Sequence, residues 1–298
     1  WCVAIASPKT YILSPLKNIK FFKLLNLFII MIEQSTRVPE KTFIIESAEI
    51  PGLAVAGLII PTCTLNCIFC IKGEREENAA FSIEQFYSEL TNIRKKCSSI
   101  LITGGEITDS HFFADILKKT KELNFEFIQI QSNCVSFSEP SAAFKVSRLG
   151  INAVDVPVYS ADPWVHDKIT RKDGSFSMAI EGIKNLKKYG IKVLVHTVLI
   201  KQNQKEIKKL EKLLFDLNVD HWDIQFTSLI RDLGLFARIA PDINLALENI
   251  KELCSTGLSL SISYAPNCMT GMNCLTRMTA QTTATKTRDF SSNINNNN

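Results

Sequence analysis

Between residues 53 and 264 the chain alternates short apolar runs with longer segments whose apolar residues recur at helical spacing. A strand covered on both faces reads as a continuous hydrophobic run, and the helix covering it shows one apolar stripe. The alternation therefore predicts βα units around a parallel sheet. The expected strands are 53–60, 98–103, 125–133, 152–160, 191–200, 220–228 and 258–264. Helices are expected over 82–97, 109–124, 177–190, 205–218 and 241–255. Ser82 stands where an N-cap hydroxyl belongs, Gly190 where a C-terminal glycine cap belongs, and Pro241 in a first helical turn. About six such units follow one another without a Gly/Pro-rich linker, which predicts one α/β domain with frayed ends.

In βα barrels the reactive groups lie on the loops at the C-terminal strand ends. Four polar clusters stand there: "PTCTLNCIFC" after the first expected strand, "TGGE" after the second, "QSNC" after the third and "YSADPWVHDKITRKDGS" after the fourth. The spacing of Cys63, Cys67 and Cys70 is also a helical stripe, so three small residues on a buried helix face is one reading. Pro61, Thr62, Thr64 and Asn66 speak for a loop instead. A structural zinc wants four ligands, and Cys97 or Cys134 would have to complete the set. An iron–sulfur cube held by three thiolates keeps its fourth iron open to an outside ligand, which is a catalytic arrangement.

"CTLNCIFC" resembles the C-x3-C-x-aromatic-C signature of radical S-adenosylmethionine (radical SAM) enzymes, with Phe69 at the aromatic position. "TGGE" resembles the family's Gly-Gly-Glu motif, which implies that Gly104, Gly105 and Glu106 meet the amino group of SAM. Two glycines at a strand end admit a ligand close to the backbone, and a carboxylate beside them can accept from an ammonium. "SNC" resembles the Ser/Thr-Asn-Gly at the end of the third strand and brings in Ser132 and Asn133. The resemblance covers about Leu53 to Tyr264 and implies a partial TIM-like (β/α)6 barrel of the radical SAM type. It further implies a 4Fe-4S cluster on Cys63, Cys67 and Cys70, bound SAM, and an electron donor such as flavodoxin or ferredoxin. Two departures stand out: Ile107 where many members have proline, and Cys134 where glycine is usual.

Arg171, on the loop after the fourth strand, offers a planar fork to the SAM carboxylate, and Ser160 at the strand end lies within range of the ribose. A solvated turn accounts for "TRKDGS" equally well. His166 and Asp167 read as part of a helical turn, and His196 as a satisfied core or barrel-lining residue.

Composition changes this picture little. Residues 1–30 carry four lysines and no acid, and without them cations and acids balance at 30 each, so nothing demands a nucleic acid or an acidic membrane. Nine cysteines, an odd number with one tight cluster, argue for reduced thiols and a cytoplasmic location. The apolar run 21–32 is interrupted by Lys23 and Asn26 and is shorter than the roughly 20 residues a spanning helix needs. It reads as a surface helix, and with the first methionine at Met31, residues 1–30 are expected to precede the native start. The segment 1–40 is thus an N-terminal extension, 41–275 the core, and 276–298 a disordered Asn-rich tail. Cys254, Cys268 and Cys274 are candidates for a second cluster. The expected function is reductive cleavage of SAM and hydrogen abstraction from a peptide, a protein or a small molecule. A non-catalytic metal-binding scaffold is the alternative.

Overall fold

The protein was analysed as a computed structural model, which describes residues 43–46, 52–58, 63–70, 82–227, 233–253 and 257–263. Its frame is an eight-stranded sheet whose spatial order equals its chain order: β1 (Phe43–Glu46), β2 (Leu53–Leu58), β3 (Ser99–Gly104), β4 (Phe127–Gln131), β5 (Ala153–Pro157), β6 (Lys192–Leu199), β7 (His221–Phe226) and β8 (Leu260–Ser263). Strands β2 to β8 run parallel, and β1 lies antiparallel on the edge of β2. The seven parallel strands curl into a half-barrel with six βα units, as the alternation predicts.

Side chains alternate across each strand, so the register sorts them onto two faces. One face carries Ala54, Ile102, Ile130, Val154, Val195 and Trp222, all fully buried beneath the helices. The other carries a polar row at one level of the barrel. Thr103 bonds Gln131, and Gln131 Nε2 donates to Asp155 Oδ2 at 3.4 Å. Asp155 Oδ1 lies 2.9 Å from His196 Nδ1, and Ser261 Oγ donates to Asp223 Oδ1 at 2.6 Å. Pairing of His196 with Asp223 and of Asp223 with Ser261 keeps these residues on that face.

The helices are α1 (Ile83–Arg94), α2 (Phe113–Glu122), α3 (Pro140–Arg148), α4 (Pro163–Thr170), α5 (Ser175–Lys188), α6 (Ile207–Asp216), α7 (Leu233–Ile239) and α8 (Ile243–Lys251). Ser82 does cap α1, accepting from Gln85 N, and Phe86 and Leu90 are the buried stripe. Gly190 follows α5 with φ +76°, and Ile191 N reaches back to Leu186 O. The helix expected from Asp109 starts only at Phe113, because Ile107–Asp109 is a 3-10 turn with Glu106 as its cap. Asp242, rather than Pro241, opens α8 by accepting from Leu245 N. Strand β1 and helices α3 and α7 are additions to the expected series, and α4 extends the helical turn expected at His166 and Asp167.

No helix among the described residues is long and apolar enough to cross a membrane. The run 21–32, the start at Met31, the segment 1–40, the tail 276–298, and Cys254, Cys268 and Cys274 lie outside the described residues.

Candidate active site

The cysteine loop, residues 63–70, follows β2 at the C-terminal edge of the sheet, and three neighbouring loops hold it. Asn66 N and Ile68 N donate to Thr170 O and Ile169 O at 2.9 and 3.0 Å, so the loop hangs from the last carbonyls of α4. Thr64 N donates to Asp109 Oδ2 at 3.0 Å. Asn133, just past β4, donates from Nδ2 to Thr64 Oγ1 at 2.8 Å and points the same group at Cys63 Sγ, 3.7 Å away. Leu65 is buried, and Phe69 sets its ring against the Tyr159 ring at 5.1 Å, nearly perpendicular. These are loop contacts, not the buried helix face that the cysteine spacing also allowed.

None of the three thiols is in a disulfide; Cys63 and Cys67 are half-buried and Cys70 is exposed. Burial pushes the Cys67 thiol up to about 12. The nearby Cys70 and Cys63 sulfurs add to the rise, and a hydrogen bond from the Tyr159 hydroxyl opposes it. A group of positive charge bound to these sulfurs reverses that balance, because a coordinating thiol is deprotonated outright. An all-thiol donor set on one loop fits an iron–sulfur cluster. Among the described residues no three His, Cys, Asp or Glu side chains gather around one point as a single ion requires. Cys97 and Cys134, which would complete a zinc site, are buried in the helix-side core instead.

Glu106 is buried and saturated. Its Oε1 accepts from Thr108 N, Thr108 Oγ1 and Ser132 Oγ at 3.2, 2.7 and 2.7 Å, and its Oε2 from Asn133 N at 2.6 Å. Burial raises its pKa against the pull of these donors. The carboxylate thus braces the end of β3 to the end of β4, and Gly104 and Gly105, half-buried beside it, form the more open edge. Ser132 also accepts from Cys134 N at 3.1 Å. Asn133 turns back on itself through Val135 N, which leaves its amide for the cysteine loop.

Ser160 is buried and its hydroxyl accepts from Asp162 N at 2.9 Å, shaping the turn into α4. Arg171 is exposed and closes α4 in the left-handed region, φ 56°, next to the carbonyls that hold the cysteine loop. His166 is structural, as the sequence suggests. Its Nδ1 accepts from Tyr159 N at 3.2 Å, and burial lowers its pKa to about 4 against the opposing charge of Asp167. Asp167 ties α4 to α5, accepting from Gly174 N, Ser175 Oγ and Phe176 N. His196 lines the barrel. Burial pulls its pKa down, but Asp155, and Asp223 beyond it, more than offset this and hold it above its ordinary value.

Of the predicted residues, the structure brings Cys63, Cys67, Cys70, Phe69, Asn133, Ser132, Glu106 and the glycine pair to one edge, with Arg171 and Ser160 flanking. Tyr159 and Asp109 are contacts that sequence reasoning missed. Both sit in segments already singled out, one residue before Ser160 and three after Glu106.

The model of the family described as the Radical SAM superfamily matches residues 58–214, more than half of the chain. A GTP 3',8-cyclase of Petrotoga mobilis is 27% identical over 203 residues, covering 65% of this chain and 61% of the cyclase. A probable GTP 3',8-cyclase of Sulfurisphaera tokodaii is 27% identical over 161 residues, 53% of this chain and 50% of that protein. The chain thus spans between half and three fifths of the length of these relatives. Among solved structures, Streptococcus suis SuiB bound to S-adenosylmethionine superposes with a TM-score of 0.61 at 16% identity, over 88% of this chain and 60% of SuiB. SuiB bound to its precursor peptide SuiA gives 0.59 at 16% identity, covering 91% and 60%. These two likenesses are of fold.

Proposed function

The chain belongs to the radical SAM superfamily, and from that membership we propose that Cys63, Cys67 and Cys70 hold a 4Fe-4S cluster with SAM at its open iron. When bound, the pair supplies one-electron cleavage of the sulfonium and a 5'-deoxyadenosyl radical that takes hydrogen from the substrate. The observation that carries this reading is the cysteine loop itself: three thiols on one short segment, held by α4, Asp109 and Asn133 at the mouth of the half-barrel.

The remaining roles follow from position. The carbonyls of the Gly104–Gly105 edge would accept from the amino group of SAM, with the Glu106 carboxylate fixing that edge in place. Arg171, exposed beside the loop, would pair with the SAM carboxylate, and Ser160 would turn its hydroxyl toward the ribose. Phe69 and Tyr159 keep water from the buried side of the loop. The electron would come from a flavodoxin- or ferredoxin-type donor, in a cytoplasm that keeps the thiols reduced.

The substrate would enter the half-barrel and meet the row from Gln131 to Ser261. Relatives named GTP 3',8-cyclase and a structural neighbour holding a precursor peptide frame two classes, a small molecule and a peptide. The test is anaerobic. Iron and sulfide are reconstituted onto the protein, the reduced form is given SAM, and 5'-deoxyadenosine is measured. Four irons per chain and 5'-deoxyadenosine formation are expected, with both lost in Cys67→Ala. Cleavage of SAM by a cluster-free variant would refute the assignment, and a cluster that cleaves no SAM under any reductant would favour a non-catalytic scaffold.

A further inference from the structure

A cavity of about 420 Å³ opens between α2 and α3, lined by none of the residues that would hold the cluster or SAM. Its walls are apolar: Phe113 comes from α2, Phe137 from the turn before α3, and Ala142, Val146 and Leu149 from α3 itself. Thr108 and Ser136 supply its hydroxyls. The single proton of the Thr108 hydroxyl goes to Glu106 Oε1 at 2.7 Å, so Ser136 Oγ must donate to Thr108 Oγ1, 2.9 Å away. Both hydroxyls thus spend their protons inside the fold, and neither has one to offer an occupant.

The remaining lining residues are of another kind. Phe144 is 50% exposed, a large apolar side chain left in water with its ring tilted against Tyr189 at 5.5 Å. Lys145 and Arg148 stand three residues apart on α3, which puts them side by side on the helix surface. Both are exposed, and the side chain of neither makes a hydrogen bond or an ion pair among the described residues. Elsewhere exposed lysines do find carboxylates, as Lys118 does with Asp115 and Lys212 with Asp216.

A cavity of this size, mostly apolar with a few charged groups, has the make-up of a small-molecule site. Its walls favour a hydrocarbon body, because apolar surface gains by leaving water. Two adjacent cations without carboxylate partners favour an anionic head group, and the planar fork of Arg148 matches a carboxylate. We propose that this cavity is a binding site for an aliphatic carboxylate, its chain lying against Phe113, Ala142 and Leu149 and its head group paired with Lys145 and Arg148. The site does not depend on the cluster assignment.

Isothermal titration calorimetry with decanoate below its micellar concentration tests the proposal, with decyltrimethylammonium as a probe of the same chain length and opposite charge. One decanoate per chain is expected, bound about tenfold more tightly than the cation, which is what two solvent-exposed ion pairs are worth together. In the double variant Lys145→Glu, Arg148→Glu the preference should invert. Ala142→Trp, which fills the cavity, should abolish binding of both probes. If Ala142→Trp does not fold, the charge-reversed protein decides alone, since its two positions are exposed. Failure of decanoate to bind the parent, an unchanged preference in the charge-reversed protein, or full binding by a folded Ala142→Trp each overturns the proposal.

Discussion

Gly182 sits in the middle of α5, where glycine costs about 1 kcal/mol of helix stability relative to alanine. Replacing it by alanine should nonetheless destabilise the protein. A Cβ at this position would stand 2.5 Å from Cys134 O, 2.6 Å from Cys134 Sγ and 3.3 Å from the Phe137 carbonyl carbon. The carbonyl oxygen cannot swing away freely, since it accepts from Phe137 N, and Asn185 Nδ2 grips Phe137 O and Ser138 O at 3.0 Å each. Overpacking of a well-filled core costs about 1–3 kcal/mol, and subtracting the propensity gain leaves a net loss of up to about 2 kcal/mol. Urea denaturation of Gly182→Ala against the parent measures this. The double variant with Cys134→Gly should recover part of the loss, because the sulfur overlap goes while the oxygen overlap stays. A Gly182→Ala protein as stable as the parent, or more so, would refute the reasoning and make Gly182 an ordinary helix position.

Two further outcomes concern titrating groups. His196 has its folded pKa raised, so the stability it contributes is fully present below 6.5 and is lost as pH rises through the folded value. NMR titration of its imidazole should give a value above 6.5, and Asp155→Asn should lower it, leaving burial opposed by Asp223; a parent value under 6.5 sinks the argument. Asp167 has the opposite sign. Burial pushes its pKa up, but the bonds from Phe176 N, Ser175 Oγ and Gly174 N outweigh that and depress it, so its stability is present above 3.8 and lost as pH falls through the folded value. Asp167→Ala should cost about 1–2 kcal/mol at neutral pH, as loss of a helix cap does, and the cost should vanish in acid; thermal unfolding as a function of pH checks both.

The sheet was legible because the parallel strands β2 to β7 bury one face under helices, so Ile100–Ile102 and Val193–Val195 announce themselves. What blurred the ends was polar chemistry with its own local logic: Glu106 caps a 3-10 turn, which delays α2 to Phe113. The cysteine motif was readable because its spacing is local. Its supports were not: Asn133 lies 70 positions from Cys63, and no pattern along the chain tells that their side chains meet. Cys134 is the most instructive departure. It holds a left-handed φ of 68°, the conformation that favours glycine, and its side chain fits because the glycine stands across from it at Gly182 instead.

The cysteine loop draws its shape from neighbours that owe nothing to iron. The carbonyls of Ile169 and Thr170, the carboxylate of Asp109 and the amide of Asn133 all hold it through ordinary folding contacts. Its conformational entropy is therefore surrendered when the barrel folds. If the proposed cluster is held here, an assembly machinery delivering iron and sulfide would meet a receptor already formed, and removal of the metal should release thiols without unravelling the edge that presents them.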